Sequence, residues 1–295
     1  MSPTAVTAQR ASRTRPKHQR HGRGGQRVPR WLHAVLIPVA LLWMIPLLMV
    51  ISWSLMPPEN SRTTFFGMFP EQWSVKNYVL IWTQNPILHH LVNSLLITVP
   101  SVILTCMFGS MAAFALAKLK VPLKAVIFGA LLLALILPMS SIVVATYKIL
   151  QAMSLYNNIL GLVLVYTALG LPFAVITIRT SYLAIPHETF EAARIDGCNS
   201  WQILWRMYLP LGKPALAVVA IWQTMMTWND FLLPLVSISD NDLKPLTLVP
   251  LAYRGIYLSQ PGALFAVLVL ISIPVIALFV VIQRYLVNGL AGAVK

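Results

Sequence analysis

The chain has 295 residues, of which 58% are hydrophobic and only 10% are charged, and its formal net charge is +14. Soluble proteins carry roughly a quarter charged residues, so the composition excludes an ordinary soluble domain and indicates an integral membrane protein. A basic balance can also mark a nucleic-acid-binding protein. We expect contact with membrane lipid and no nucleic acid, because basic residues beside membrane spans set topology and contact anionic headgroups.

The N-terminal segment, residues 1–30, contains eight Arg or Lys residues and no acidic residue. It has no apolar periodicity, which predicts a basic, disordered cytoplasmic N-terminus. The first apolar stretch after it is about 24 residues long, and no small-x-small cleavage site follows. We therefore expect this stretch to remain in the protein as a membrane anchor.

Six apolar stretches are each long enough to cross a bilayer, which takes about 20 residues. They cover approximately residues 32–55, 91–117, 125–147, 159–183, 214–236 and 262–283. Prolines fall inside most of them, and a membrane helix tolerates proline where its neighbours satisfy the freed carbonyl groups. The sequence predicts an all-α integral membrane protein with six kinked, packed transmembrane helices over residues 31–284 and a C-terminal tail over residues 285–295.

Basic residues are distributed unevenly between the two sides that six spans define. The N-terminus, the loop 118–124, the loop between the fourth and fifth stretches and the C-terminus hold 17 of the 22 Arg and Lys residues. Because positively charged loops stay in the cytoplasm, we expect a multi-pass protein of the cell (inner or plasma) membrane. Both termini and the loop between the fourth and fifth stretches are then cytoplasmic.

That fourth loop, residues 185–212, is polar and carries signals for two short helices. Pro186 suits the first turn of a helix, and Gly197 allows the chain to reverse direction. Asn199 or Ser200 can then cap a second helix. Ala192 and Ala193 keep the first helix slim, so the loop predicts a compact knob around which a partner can close.

The loop also matches a known motif. It reads Glu191-Ala192-Ala193-Arg194-Ile195-Asp196-Gly197, then nine residues, then Met207-Tyr208-Leu209-Pro210. This resembles the EAA loop of the membrane subunits of ATP-binding-cassette importers, with Met207 where the family usually has Ile. The resemblance implies that a separate ATPase docks here. The residues implied to couple its movement to the membrane helices are Glu191, Ala192, Ala193, Asp196, Gly197, Leu209 and Pro210.

The chain has no recognisable phosphate-binding loop of its own. No Gly-x4-Gly-Lys-Ser/Thr sequence occurs, and Gly212-Lys213 is followed by Pro214. Such a loop is what cradles nucleotide phosphates in ATPases of this kind. We therefore expect a non-catalytic subunit that binds no cofactor, with ATP and Mg bound by a partner ATPase.

The similarity extends over roughly residues 73–295, to carbohydrate-importer permeases related to the smaller membrane subunit of the maltose transporter. It is carried by Asn93-Ser94-Leu95-Leu96, Ala112-Ala113-Phe114-Ala115-Leu116-Ala117, Gly170-Leu171-Pro172-Phe173, Ile185-Pro186, Trp228-Asn229-Asp230-Phe231-Leu232-Leu233-Pro234-Leu235 and Gln283-Arg284-Tyr285-Leu286-Val287-Asn288-Gly289-Leu290. The resemblance implies a sugar substrate, most simply a di- or oligosaccharide. It also implies a second permease subunit and two copies of a cytoplasmic ATPase.

Two further contacts follow from the same resemblance. An extracytoplasmic solute-binding protein would dock on the outer loop 56–90, for which a structured cap without a partner is the alternative interpretation. The family's tail reaches the ATPases, which implies contacts by Asn288, Gly289 and Gly292, although the tail is shorter here.

Asp230 is the acidic residue that most needs an explanation. It lies sixteen residues past Pro214, or about 24 Å along a helix, near the outer boundary of the membrane. It is either a gate or pathway residue or a polar clamp on the helix bend before Pro234. Sugars are bound by aromatic faces and hydrogen-bonding side chains. The candidates for the translocation path are Tyr166, Trp222, Gln223, Thr227, Trp228, Asn229 and Asp230.

Other function classes remain as alternatives. An importer of a non-sugar solute, such as a glycerophosphodiester or a polyol, would share the fold. An ion-coupled secondary transporter would need paired intramembrane acids or broken-helix ion sites, and only Asp230 is available. A membrane enzyme would need a nucleophile–base pair or a metal cluster. We expect no metal site, because the histidines are scattered and the adjacent His89 and His90 point to different helix faces.

Overall fold

The structure, a computed structural model, describes residues 30–59, 63–64, 67–253 and 260–293. The chain divides into two compact units, Met1–Ile45 and Pro46–Lys295. Apart from Arg30, at which the first helix begins, the predicted basic segment 1–30 lies outside the described residues. Most of the described chain is helical, in agreement with the predicted all-α class.

The elements follow one another in chain order. They are α1 (Arg30–Ser54), β1 (Thr63–Thr64), β2 (Phe69–Pro70), α2 (Lys76–Gln84), α3 (Ile87–Lys118), α4 (Lys124–Ile136), α5 (Met139–Ala152), α6 (Ile159–Leu183), α7 (His187–Ile195), α8 (Ser200–Ile203), a π-helical turn (Leu204–Tyr208), α9 (Leu209–Leu211), α10 (Lys213–Trp228), α11 (Leu232–Ser237), two 3-10 segments (Asn241–Leu243 and Leu246–Tyr253) and α12 (Pro261–Ala293). The strands β1 and β2 pair antiparallel in a short hairpin on the segment that follows α1.

Within the described residues, four helices are long and apolar enough to cross a membrane. They run over Leu32–Ser54, Ile87–Lys118, Ile159–Leu183 and Pro261–Val280. The predicted stretch 125–147 is two helices, α4 and α5, bent by 107°. Counting that pair as one crossing gives five, so the predicted count of six is not confirmed on length and composition alone.

Proline explains the bend between α4 and α5. Pro138 restricts the residue before it to extended backbone, and Leu137 has φ −69° and ψ 122°. The predicted stretch 214–236 is also interrupted: α10 ends at Trp228, and α11 begins at Leu232. Both interruptions lie inside apolar runs, where hydropathy alone predicts a continuous helix.

The core of the larger unit is the packing of α3 against α6, with α10 laid across both. Small residues allow the close approach, as is common where membrane helices meet. A Cβ at Gly109 of α3 would lie 2.7 Å from the Cβ of Ala174 on α6. A Cβ at Gly170 of α6 would lie 2.1 Å from the side-chain oxygen of Gln223 on α10. These contacts fix the three helices relative to one another.

The chain after α11 is held from two sides. Asn157, in the loop before α6, has φ +55°, and its side-chain oxygen accepts hydrogen bonds from the amides of Ser239 and Asp240 at 3.0 and 2.9 Å. On the other side, His90 of α3 lies 2.8 Å from the carbonyl oxygen of Lys244. These contacts hold the segment that follows α11 against α3 and against the loop before α6.

The helix α12 runs on past the predicted end of the last span. Residues 285–293, assigned to a tail by the sequence, continue α12 as helix. The side chains from 281 onward lie outside the described part, and so do residues 294 and 295 altogether.

Candidate functional site

The segment predicted to couple to an ATPase, residues 185–212, which we call the coupling segment, has the helix–turn–helix form that its sequence predicts. The first helix, α7, follows Pro186 and carries Glu188 in its first turn, where an acid is favoured by the helix dipole. The chain then reverses at Gly197, whose φ of +83° lies in the left-handed region. Only glycine adopts that region without steric cost.

A capping box starts the second helix of the segment. The Asn199 side-chain oxygen accepts a hydrogen bond from the Gln202 amide at 2.8 Å, and the Gln202 side chain accepts one from the Asn199 amide at 3.0 Å. Reciprocal bonds of this kind satisfy two amides that the helix itself leaves free. Of the two predicted caps, the structure therefore uses Asn199.

The predicted coupling residues divide between two faces of the segment. Glu191, Ala192, Asp196, Gly197 and Pro210 are exposed, Leu209 is half-buried, and Ala193 is only 6% exposed. Ala193 therefore packs against its own bundle, so of the two alanines predicted to keep α7 slim only Ala192 lies on the exposed face. The outer face carries Ile195 instead, which is 85% exposed.

Glu191 has a partner on its own helix. The His187 ring nitrogen lies 3.6 Å from the Glu191 carboxylate, with both side chains largely exposed. An exposed pair of this kind contributes little to stability. The carboxylate thus stays available to a partner protein.

Below α7 lies an aromatic cluster of four residues: Phe114, Tyr182, Phe190 and Tyr208. Phe114 lies 6.1 Å from Phe190 and 5.0 Å from Tyr208 between ring centroids, and Tyr182 lies 5.3 Å from Tyr208. Burial raises the pKa of the Tyr208 hydroxyl, so this ring stays neutral at physiological pH. Since Phe114 belongs to α3 and Tyr182 to α6, the aromatic cluster joins α7 to two long helices.

Lys118, at the end of α3, strengthens this junction. Its ammonium group donates a hydrogen bond to the Ile185 carbonyl oxygen at 2.7 Å and lies 5.6 Å from the centroid of the Tyr208 ring. A cation over an aromatic face is attracted to it. Lys118 therefore ties the start of the coupling segment to α3.

The second group of predicted residues gathers around Asp230. The Tyr166 hydroxyl donates to one carboxylate oxygen of Asp230 at 2.7 Å, and the Leu232 amide donates to the other at 3.0 Å. The Thr247 hydroxyl donates to the Asp230 backbone carbonyl at 3.0 Å. Asp230 thus links α6, the interruption after α10 and the second 3-10 segment.

Gln223 and Thr227 lie behind this carboxylate. The Gln223 amide donates to the Tyr166 carbonyl oxygen at 3.0 Å and to the Thr227 hydroxyl at 3.3 Å. Tyr166 and Gln223 are both fully buried. The structure therefore brings together four of the predicted path residues, Tyr166, Gln223, Thr227 and Asp230, which we call the Asp230 cluster.

The three remaining predicted residues, Trp222, Trp228 and Asn229, lie outside the cluster, and Trp222 instead stacks on Phe173. Trp228 is buried against α12, and its indole N–H donates to the Ile271 carbonyl oxygen at 3.1 Å. Asn229 is exposed, and its side chain bonds the Met225 carbonyl oxygen at 2.9 Å. Trp228 and Asn229 are close to Asp230 in the sequence, but their side chains point to different sides of the helix.

The free space at the Asp230 cluster is about 10 Å³ and is bounded by Ser94, Thr98, Tyr166, Thr227 and Asp230, among others. A space of this size holds roughly one water molecule. A sugar ring therefore does not reach the Asp230 cluster in this conformation, in which Asp230 acts geometrically as a clamp on the helix interruption.

Sequence reasoning missed Phe114, Phe190 and Phe173 as functional candidates. Phe173 of α6 stacks on Trp222 of α10 with ring centroids 4.3 Å apart and planes at 26°. The sequence named Trp222 as a path candidate and placed Phe173 in the motif Gly170-Leu171-Pro172-Phe173, but it did not indicate that the two rings stack on each other. The predicted tail contacts Asn288, Gly289 and Gly292 lie on α12, where the structure describes the backbone alone.

Comparison with known proteins identifies the family to which the chain is similar. The sequence profile of the family described as "binding-protein-dependent transport system inner membrane component" matches residues 28–292. The chain is 33% identical to the diacetylchitobiose uptake system permease protein NgcG of Streptomyces coelicolor, over 89% of this chain and 86% of that protein. It is 31% identical to the trehalose transport system permease protein SugB of Mycobacterium tuberculosis, over 92% of this chain and 99% of that protein.

Among solved structures, the fold is similar to a chain of a bacterial ABC transporter involved in the import of the acidic polysaccharide alginate. The TM-score is 0.74 at 23% sequence identity, and the match covers 87% of this chain and 95% of that chain. At this identity the similarity establishes the fold.

Proposed function

The chain belongs to the family of binding-protein-dependent transport system inner membrane components, and from this premise we propose that it is the permease subunit of an ATP-driven sugar importer. The substrate we propose is a di- or oligosaccharide. Two relatives are named for the uptake of diacetylchitobiose and the transport of trehalose, which supports a sugar for this chain.

The topology we propose has six crossings. The bent pair α4 and α5 forms one crossing, and α10 with α11 forms another, in addition to the four continuous helices. Both termini then face the cytoplasm, and so does the coupling segment. The uneven distribution of Arg and Lys supports this orientation, because positive residues stay on the cytoplasmic side.

ATPase docking is proposed for the exposed face of the coupling segment, which presents Glu191, Ala192, Asp196 and Gly197. Ala193 and the half-buried Leu209 would instead root the segment in the bundle, whereas Pro210 is exposed and stays among the residues proposed to contact the ATPase. The movement of the ATPase then passes through the aromatic cluster to α3 and α6. ATP and Mg are bound by the partner, so the chain itself is a non-catalytic subunit.

The remaining partners complete the importer. A second permease encloses the translocation path together with this chain, and two ATPases dock below, where α12 brings Asn288, Gly289 and Gly292 toward them. A solute-binding protein docks on the outer segment 56–90, to which β2 and α2 belong. For the path itself we propose that the Asp230 cluster holds the outer end closed until the helices move.

The single observation that carries this proposal is the coupling segment: an exposed acidic helix that is joined by an aromatic cluster to two membrane helices. The test is uptake in proteoliposomes that contain this chain with its partner permease, ATPases and binding protein. We expect sugar uptake that requires ATP on the side of the membrane where the ATPases are bound. This uptake should continue when a protonophore is added. Uptake that survives ATP removal but stops with the protonophore would identify an ion-coupled transporter instead.

The same preparation separates a sugar from other solutes. Glycerophosphodiesters and polyols are offered to the binding protein and the complex in parallel with di- and oligosaccharides. Uptake of a polyol or a phosphodiester with no uptake of any sugar would retain the importer and contradict the proposed substrate class.

A further inference from the structure

Phe173 and Trp222 form a stacked aromatic pair that the established contacts of the fold leave without a role. Their ring centroids lie 4.3 Å apart, and both side chains are half-buried. Stacking covers one face of the indole and fixes its plane. The uncovered part of the pair therefore presents rigid aromatic surface beside α6 and α10.

The depth of Trp222 argues against an ordinary membrane anchor. Trp222 lies nine residues after Lys213, the basic residue with which α10 begins. At 1.5 Å per residue this is about 14 Å along the helix, close to the middle of a hydrocarbon layer about 30 Å thick. Anchoring tryptophans sit at the two interfaces, so Trp222 is too deep to be one.

The indole N–H of Trp222 adds a second, independent constraint. Among the described residues no hydrogen bond or other polar contact involves it. A donor that faces hydrocarbon without an acceptor is unfavourable, and buried tryptophans normally find a partner for this group. The surface around Trp222 is therefore expected not to face lipid tails; in the proposed complex it faces the second permease and the translocation path that the two subunits enclose.

The same side of α10 carries a polar side chain farther out. Asn229 is exposed and lies seven residues after Trp222, which is about two helical turns, or roughly 10 Å. Seven residues return nearly to the same face of a helix. By contrast Gln223, one residue after Trp222, is fully buried against α6. The exposed face thus combines an aromatic surface near mid-membrane with an amide toward the outer end.

We propose that Phe173 and Trp222 are the sugar-contacting platform of this subunit. The C–H face of one sugar ring packs on the exposed aromatic surface, and Asn229 bonds hydroxyl groups of the ring that follows. This assignment rests on the proposed function, and it adds the surface of the chain that contacts the sugar. It also moves the sugar contact away from the Asp230 cluster, whose free space is too small for a ring.

The experiment uses the full complex in proteoliposomes and compares Trp222→Leu, Trp222→Phe and Phe173→Leu. We expect Trp222→Leu to lower sugar uptake at least tenfold, with the assembled complex recovered at the wild-type yield. Trp222→Phe keeps an aromatic face and is expected within about threefold of wild type. The matched control is Phe108→Leu, which removes a partly exposed aromatic ring from α3 and is expected to leave uptake unchanged.

A second readout separates substrate contact from packing. A diazirine derivative of the transported sugar is photolysed during turnover, and we expect it to label the peptide that contains Trp222. Wild-type uptake by Trp222→Leu, or joint loss of complex yield, ATP hydrolysis and uptake without photolabelling, would overturn the platform. A wild-type complex that takes up no sugar at all would instead overturn the proposed function.

Discussion

Replacing Gly170 with alanine is expected to lower the thermal stability of the complex and to reduce uptake strongly. The added Cβ would lie 2.1 Å from the Gln223 side-chain oxygen and 2.9 Å from the Thr105 methyl group. Gln223 cannot move aside without cost, because its amide bonds the Tyr166 carbonyl oxygen. Overpacking of this kind costs about 1–3 kcal/mol, and it falls at the junction of α3, α6 and α10.

The matched control is Gly129→Ala on α4, where an added Cβ meets no atom of the described chain within 4 Å. The same substitution there is expected to be neutral or to stabilise the helix by about 0.5–1 kcal/mol. Melting temperatures in nanodiscs, measured by intrinsic fluorescence, compare the two variants directly. Equal melting temperatures for both would show that the three helices do not meet as closely as described.

Replacing Gly197 with valine is expected to impair transport far more than folding. Gly197 has φ +83°, but an added Cβ meets no described atom within 4 Å, so the penalty is in the backbone alone. A left-handed residue with a Cβ costs roughly 1–2 kcal/mol, and a β-branched one is more strongly disfavoured. The turn between α7 and α8 then adopts a different backbone conformation. As a result, the exposed face of α7 is no longer oriented to fit the ATPase.

Gly197→Asn serves as the control for this position, because asparagine enters the left-handed region far more readily than valine. We expect Gly197→Val to lose roughly tenfold in uptake, the factor that corresponds to about 1.4 kcal/mol, at a normal protein level. Gly197→Asn should keep most of the activity. Similar uptake by the two variants would mean that the turn geometry does not matter for coupling.

The coupling segment was predictable because its signals are local. Pro186, Gly197 and Asn199 each determine the backbone within a few residues of themselves. The structure uses Gly197 and Asn199 as expected and has Pro186 one residue before the first turn in which it was predicted, as the N-cap of α7. The direction in which Ala193 points was not predictable, since it depends on how α7 rests on the aromatic cluster.

For the long helices, the sequence predicted the position along the chain but not the bends. Hydropathy located α3 and α6 within a few residues, because a run of apolar side chains is all that a crossing requires. It could not show that α4 and α5 bend by 107° at Leu137–Pro138. Prolines elsewhere, such as Pro172 in α6, leave the helix continuous, so the outcome at each proline depends on its neighbours.

Contacts between distant residues account for the rest of the site. Tyr166 and Asp230 are 64 residues apart and meet only because α6 lies beside the end of α10. The sequence named both residues, but it left open whether Asp230 is a clamp or a gate. The geometry shows that the Asp230 carboxylate accepts hydrogen bonds from Tyr166 and from the Leu232 amide, and its role during transport belongs to the proposed function.

Cross-linking at the coupling segment is the measurement that tests the central claim most directly. After Cys106 and Cys198 are replaced by serine, single cysteines are placed at the exposed Glu191 and Ile195 and at the buried Ala193. With a bifunctional maleimide, we predict a covalent product with the partner ATPase from Glu191→Cys and Ile195→Cys, and little from Ala193→Cys. The absence of any such product, or labelling of Ile195→Cys from outside intact cells by a membrane-impermeant maleimide, would contradict the account.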